Sequence, residues 1–305
     1  MSSVLEFGQI APATSDPPRL IAPSRTLFAD RARRFATLAH EHSLGDWLRL
    51  LGRLTQAQHA ALQDLPAPRL PDSEALEQAR THGMPPVLAP HWQREAIWRA
   101  ALAQIAAALA ADAPPAVQEH CRQLQSASVE TLEVIADRVV RNEAAGKNAA
   151  LQPYVAAALQ VYWTALAAEL GAARMPRLEV PGICPCCGSL PVASIVRTAP
   201  EVDKLRYLHC SLCNTEWHLV RVKCAACDAT GKVSYRRIDA PELADAMRAE
   251  VCDDCQSYLK ILYQNKALEG DPVADDLATL ALDVLVDEAG YARAGPNLLF
   301  VEGSG

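Results

Sequence analysis

Four short runs decide how this chain is read: Cys184-Pro185-Cys186-Cys187, Cys210-Ser211-Leu212-Cys213, Cys224-Ala225-Ala226-Cys227 and Cys252-Asp253-Asp254-Cys255. Each is a Cys-x-x-Cys turn, which aims two thiolates at one point. Two such turns make a tetrahedral four-sulfur cage for zinc or a single iron, so four turns make two cages. The gaps between successive runs are 22, 10 and 24 residues. Near-equal outer gaps around a short linker read as one unit used twice. The spacing therefore groups Cys184, Cys187, Cys210 and Cys213 in one site and Cys224, Cys227, Cys252 and Cys255 in the other. An interleaved grouping stays open. Both cages would be closed, because four sulfurs leave no coordination position for water or substrate.

Two cysteines remain. Cys186 lies inside the first turn and reads as a bystander thiol, the sharper alternative being a swapping ligand. Cys121 falls in a helical pattern and reads as a small buried apolar residue. His209 and His218 flank the second turn and could replace a sulfur, but four intact pairs leave them no vacancy. Between Arg197 and Arg237 stand eight Lys or Arg against four acids. A nucleic-acid face is conceivable there, yet the net charge of −7 and pI near 5.6 argue for a solvated or protein-docking face.

Outward from this block the pattern changes twice. Val192–Val196, Tyr207–His209, Trp217–Val222 and Val233–Ile238 alternate as short strands. Pro241–Glu250 has a helical composition ahead of the last turn. Val273–Glu288, stopped by Gly290, reads as one helix that packs back on the rest. Before Pro176 the chain is helical. Leu27, Phe28, Arg31, Phe35 and Leu38 follow Ser24 at helical spacing, and a longer stripe runs from Leu44 to Leu62. Further helices are predicted over Ser73–His82, Pro90–Ala111, Ala116–Leu124, Ser128–Asn142 and 148–170, with Gly171 as the stop. Residues 1–23, with four prolines, read as a loose or draped arm. The fold class is α+β and multidomain: an all-α domain over 1–175, a first metal module over 176–222, and a second over 223–305 that includes the terminal helix. No apolar run suggests a membrane span, and the N-terminus carries no export pattern, so the expectation is a cytoplasmic protein. No Gly-rich phosphate loop or Ser/His/Asp set points to an enzyme.

The residues around the cysteines resemble a known family. Cys184-Pro-Cys-Cys-Gly-Ser-Leu-Pro191, Leu205-Arg-Tyr-Leu-His-Cys-Ser-Leu-Cys-Asn-Thr-Glu-Trp-His218, Arg221-Val-Lys-Cys-Ala-Ala-Cys227 and Cys252-Asp-Asp-Cys-Gln-Ser-Tyr-Leu-Lys-Ile-Leu-Tyr-Gln264 look like the formate dehydrogenase accessory proteins, the FdhE family. Val273-Ala-Asp-Asp-Leu-Ala-Thr-Leu-Ala-Leu-Asp283 and Gly290-Tyr-Ala-Arg293 continue the likeness. In the helical half only fragments match, such as Leu44-Gly-Asp-Trp-Leu-Arg49, His91-Trp92 and Tyr162-Trp163. Cys186 departs from the usual filler.

The resemblance implies a helical domain joined to two tandem rubredoxin-like modules. It implies iron at two mononuclear sites, with Cys184, Cys187, Cys210, Cys213, Cys224, Cys227, Cys252 and Cys255 as ligands and zinc as the alternative metal. It implies a non-catalytic cytoplasmic factor that binds the catalytic subunit of respiratory formate dehydrogenase before export. A rubredoxin-like electron carrier and a nucleic-acid-binding zinc ribbon are the other classes in play. A homo-oligomer is compatible with all three.

Overall fold

The computed structural model describes residues 17–144, 146–238 and 246–301. Its helical half contains α1 (Leu27–Leu38), α2 (Gly45–Asp64), α3 (Ser73–Thr81), α4 (Ile97–Ala110), α5 (Pro115–Ser126), α6 (Val129–Val140) and α7 (Gln152–Leu170). The apolar stripes read from the sequence are the ones that go inside: Phe28 and Phe35 on α1, Leu48, Leu51 and Leu54 on α2, Trp98, Leu102 and Ile105 on α4. α7 is the spine. Residues 154–167 along it are buried on every side, because α2, α4 and α6 pack around it and its alanines let them come close. Gln58 of α2 donates from Nε2 to the Ala157 carbonyl at 2.9 Å and to Gln160 Oε1 at 3.0 Å, which ties α2 to α7 through buried polar groups.

The helix expected from Pro90 begins only at Ile97. Residues 87–92 are used differently. The Val87 and Ala89 N–H groups donate to the Cys186 and Cys187 carbonyls at 3.2 and 2.9 Å. Pro90 also disfavours helical backbone at Ala89. Trp92 Nε1 then donates to Tyr162 Oη at 2.9 Å, fixing the loop on α7.

The second half is a sheet. Its strands are β1 (Leu20–Ile21), β2 (Pro191–Val196), β3 (Arg206–Cys210), β4 (Glu216–His218), β5 (Val233–Arg236), β6 (Met247–Cys252), β7 (Ser257–Tyr263) and β8 (Ala292–Arg293). Among the described residues they form one sheet in the order β1-β4-β3-β2-β7-β6-β5, with β8 on β7. The repeat seen in the cysteine spacing is structural: β2-β3-β4 and β5-β6-β7 are each antiparallel. The two repeats join by the parallel pairing of β2 with β7, Ser194 opposite Ile261. Of the arm expected over residues 1–23, residues 1–16 lie outside the described residues. The rest runs along the outer edge, where Arg19 accepts from His218 N at 2.9 Å and Pro18 from Tyr207 Oη at 2.6 Å.

Three sequence expectations change here. The helix expected over Pro241–Glu250 is a strand from Met247 onward, paired on both sides, and 239–245 lie outside the described residues. Its composition favoured helix, but pairing to β5 and β7 overrode it. β7 itself carried no expectation as a strand. The tail is two helices, α8 (Pro272–Ala278) and α9 (Leu280–Glu288), broken at Thr279. The break is chemical: the buried Lys260 ammonium takes the carbonyls of Asp276 and Thr279 at 2.8 and 3.1 Å. Those oxygens are therefore held by Lys260 where the helix would otherwise continue.

The halves share a core. The first four cysteines, Leu208 and Trp217 belong to the same apolar cluster as α2, α4 and α7, together with Val273 and Leu277 of α8. Asp271 accepts the Val273 and Ala274 N–H groups at 3.0 and 2.8 Å as N-cap of α8. It also receives the Arg31 Nε donor of α1 at 2.9 Å. Arg34 pairs with Asp275 one turn along each helix, Nε to Oδ2 at 2.9 Å. The tail is thereby clamped to the helical scaffold.

Candidate metal centres

Each Cys-x-x-Cys turn folds the same way. The first cysteine's N–H donates to the carbonyl five residues on in three of them: Cys184 to Ser189 at 2.9 Å, Cys210 to Thr215 at 3.0 Å and Cys224 to Ala229 at 3.0 Å. The residue after the second cysteine is left-handed in all four: Gly188, Asn214, Asp228 and Gln256 have φ of 76°, 58°, 61° and 51°. Glycine, asparagine and aspartate suit that conformation, which is a signal in the sequence that the spacing alone did not use. At Gly188 a side chain is excluded twice over, since a Cβ would stand 2.5 Å from Leu88 Cδ1. Backbone N–H groups point at sulfur, Cys213 N to Cys210 Sγ at 3.3 Å and Ala226 N to Cys224 Sγ at 3.4 Å.

The turns meet in pairs, as the spacing anticipated. Cys184 and Cys213 Sγ are 3.4 Å apart, and Cys187 and Cys210 Sγ 3.5 Å. In the second group Cys224 and Cys255 are 3.7 Å apart, and Cys227 and Cys252 3.8 Å. Within each group all four sulfurs lie inside 4.8 Å of one another. A tetrahedron of thiolates at ~2.3 Å from one ion has edges of about 3.8 Å, so both sets fit a mononuclear ion. All ten cysteines are free of disulfides. His209 and His218 stand outside both groups among the described residues.

The two cages sit in different surroundings. Cys184, Cys187, Cys210 and Cys213 are each 0 % exposed. Gln160 of α7 donates to the Ser211 carbonyl at 2.8 Å, and Asn214 Nδ2 to Thr164 Oγ1 at 2.8 Å. Burial pushes the Cys184 and Cys210 thiols well above their ordinary range. Cys213 is equally buried, but hydrogen bonds from neighbouring thiols, Cys184 first, outweigh burial and pull it well below. Cys186, also 0 % exposed, contributes to that effect. At the second cage Cys227 and Cys255 are exposed. The two repeats touch closely there: a Cβ on Gly182 would stand 2.1 Å from the Ala225 carbonyl inside the third turn.

A buried polar chain that the sequence did not disclose runs beside the first cage. Arg31, 0 % exposed, donates from Nη2 to Asn214 Oδ1 at 2.9 Å. His209 places Nε2 at 3.1 Å from the same oxygen and Nδ1 at 3.0 Å from Glu216 Oε1. Arg197 Nε reaches Glu216 Oε2 at 2.9 Å. Burial resists ionisation of Glu216, yet the Arg197 guanidinium and the His209 ring overcome it and hold the carboxyl at about 2. Its ordinary value is 4.5. Glu216 thus supplies stability above pH 4.5 that is lost as the pH falls toward 2, about 3 kcal/mol in all. Glu216→Gln is expected to flatten the acid limb of the stability–pH curve between those values, measured by urea titration at each pH. An unchanged acid limb would refute this assignment.

The other flagged residues settle simply. Cys121 is wholly buried in α5, and desolvation pushes its thiol up. Arg197, Lys204, Arg206, Lys223 and Lys232 of the basic stretch are ion-paired to Glu216, Asp203, Glu250, Asp228 and Asp254. No helix of the described residues is long and apolar enough to cross a membrane.

Comparison with known proteins covers almost the whole chain. Family models match in three consecutive parts: FdhE, N-terminal, over 16–179; FdhE, central domain, over 183–221; and FdhE, C-terminal domain, over 222–300. A Protein FdhE homolog of Serratia proteamaculans is 40% identical over 293 residues, 96% of this chain and 94% of that protein. One from Pseudomonas aeruginosa is 39% identical over 304 residues, 99% of this chain and 98% of that protein. The crystal structure of the FdhE protein from Pseudomonas aeruginosa superposes with a TM-score of 0.86 at 39% identity, covering 94% of this chain and 100% of that one.

Proposed function

The chain belongs to the FdhE family, and from that premise we propose that it is a non-catalytic accessory factor for respiratory formate dehydrogenase. It works in the cytoplasm, where it binds the catalytic subunit of that enzyme before export. The ligands are Cys184, Cys187, Cys210 and Cys213 at one site and Cys224, Cys227, Cys252 and Cys255 at the other, with iron as the metal and zinc as the alternative. The observation that supports this reading is the grouping of eight cysteines into two four-sulfur cages. A thiolate-bound ion supplies cross-linking strength and, if iron, one-electron chemistry. Four sulfurs fill the tetrahedron, so these cages stiffen a surface rather than activate a water. The domains divide at 1–175, 176–222 and 223–305, each module carrying one cage.

The test is recovery of the formate dehydrogenase catalytic subunit from its native host on immobilised protein. Recovery is expected to fall about tenfold or more for Cys224→Ser, as when a buried interface anchor is lost. Equal recovery by the variant and the unaltered chain would remove the metal-dependent surface. The position of Cys227 and Cys255 at the protein surface favours a second reading, a rubredoxin-like electron carrier. Zinc rather than iron in protein purified from the native host would exclude it.

A further inference from the structure

The two cages differ in what holds them, and we infer that they differ in kind: the first is a permanent staple, and the second exchanges its ion with ligands in solution while the protein stays folded. This rests on the reading of both cages as metal sites, and it adds which cysteines keep an ion and which give it up.

The first cage is built into the core. All four of its cysteines are 0 % exposed and belong to the apolar cluster of α2, α4 and α7. Its turns are held from outside. Val87 and Ala89 donate to the Cys186 and Cys187 carbonyls, Gln160 to the Ser211 carbonyl, and Asn214 to Thr164. A competing ligand reaches these sulfurs only after the helical half separates from the sheet, an opening that unfolds the sheet half.

The second cage lacks that cover. Cys227 and Cys255 are exposed, and none of its four cysteines belongs to an apolar core cluster among the described residues. The turn residues Ala226, Asp228, Asp253, Asp254 and Gln256 are exposed as well. The hydroxyl beside the second cysteine of the other turns (Ser189, Thr215, Ser257) is replaced at Cys227 by Ala229. Cys227 and Cys255 sit on opposite turns, so a ligand from solution can take an ion from one side while Cys224 and Cys252 still hold it. Such stepwise transfer needs no unfolding. Each sulfur that lets go takes a proton from water or a new ion, and no electron changes hands. The chemistry that fits is a small thiol or a thiolate-bearing carrier, which matches the ligand type of the cage.

The test loads the full chain with two zinc ions and follows their release to EDTA, with iodoacetamide present and the alkylated cysteines located by mass spectrometry. One ion is expected to leave about tenfold or more faster than the other. Label should appear first on Cys227 and Cys255, then on Cys224 and Cys252. Cys184, Cys187, Cys210 and Cys213 should stay unlabelled until guanidinium unfolds the chain. Cys255→Ser should remove the fast phase and leave the slow one. Two ions leaving at one rate, or early label on the first cage, would overturn the inference while leaving both metal sites intact. A chain that takes up no zinc would instead overturn the metal reading on which the inference stands.

Discussion

Cys210→Ser is expected to unfold the sheet half of the protein, whereas Cys255→Ser leaves it folded. Cys210 lies at the end of β3 with its sulfur in the shared core, 0 % exposed. Two backbone N–H groups, those of Leu212 and Cys213, point at it from 3.4 and 3.3 Å. Ion binding at a structural four-ligand site is worth roughly 10–16 kcal/mol in small zinc domains. That matches or exceeds the whole stability of an ordinary domain, about 5–15 kcal/mol. Serine at this position removes one corner of the cage and leaves three buried sulfurs without a place in water. The measurement is near- and far-ultraviolet circular dichroism with limited proteolysis. The variant should lose the near-ultraviolet signal of the packed Tyr207 and Trp217 rings and be cut between residues 180 and 300, while α1 to α7 keep their far-ultraviolet helical signal. Melting within a few degrees of the unaltered protein would show that the first cage is not what holds the half together.

The second large effect is expected at Arg206, which ties the two repeats to each other. It is 0 % exposed on β3 and donates from Nη2 to Glu250 Oε1 of β6 at 2.7 Å. Its Nη1 takes the Lys223 carbonyl, next to Cys224, at 2.9 Å. Arg206→Met leaves Glu250 buried without its cation, a loss of about 3–5 kcal/mol near neutral pH. Burial already raises the Glu250 carboxyl above its ordinary value even with Arg206 beside it. A raised carboxyl favours folding below its unfolded value and opposes it once ionised in the folded state. The penalty in Arg206→Met is therefore full at neutral pH and shrinks as the pH falls and Glu250 takes up a proton. Adding Glu250→Leu should restore most of the stability, because a shape-matched apolar pair replaces a buried ion pair at little cost. Denaturant titrations of the four proteins in the cycle, at neutral and mildly acidic pH, measure both effects. A double variant as unstable as the single one would place the fault in packing rather than in the stranded carboxylate.

Much of this architecture could be read from one dimension because the signals were local and redundant. The apolar stripes of α1 and α2 run for several turns, so period alone locates them, while α7, buried all round, is marked by its length and its bounds at Pro153 and Gly171. The grouping of cysteines followed from unequal gaps, since a loop of ten residues cannot hold the strands that a loop of 22 or 24 can. The misreadings have one cause. The segment before Cys252 has helical composition but is β6, and the tail has unbroken helical spacing but bends at Thr279. In both places the deciding partner is distant: β5 and β7 flank β6, and Lys260 takes the carbonyls at the bend. Likewise no spacing rule joins Arg31 to Asn214, 183 positions apart.

What the sequence determined by itself is the set of four knuckles, because a Cys-x-x-Cys turn and the left-handed residue after it are fixed by local backbone geometry. Spacing favoured their pairing, and the fold closed the interleaved alternative. It also determined the helical character of the first half, because periodicity is a local property. Tertiary structure alone decided that the two repeats share one sheet through the parallel β2–β7 seam. It alone decided that one cage is sunk into the helical core while the other faces solvent. The two cages are written in the same four-residue code, so nothing in that code distinguishes them. Their difference lies in what α7 and residues 87–89 cover, and cover is a property of the folded chain.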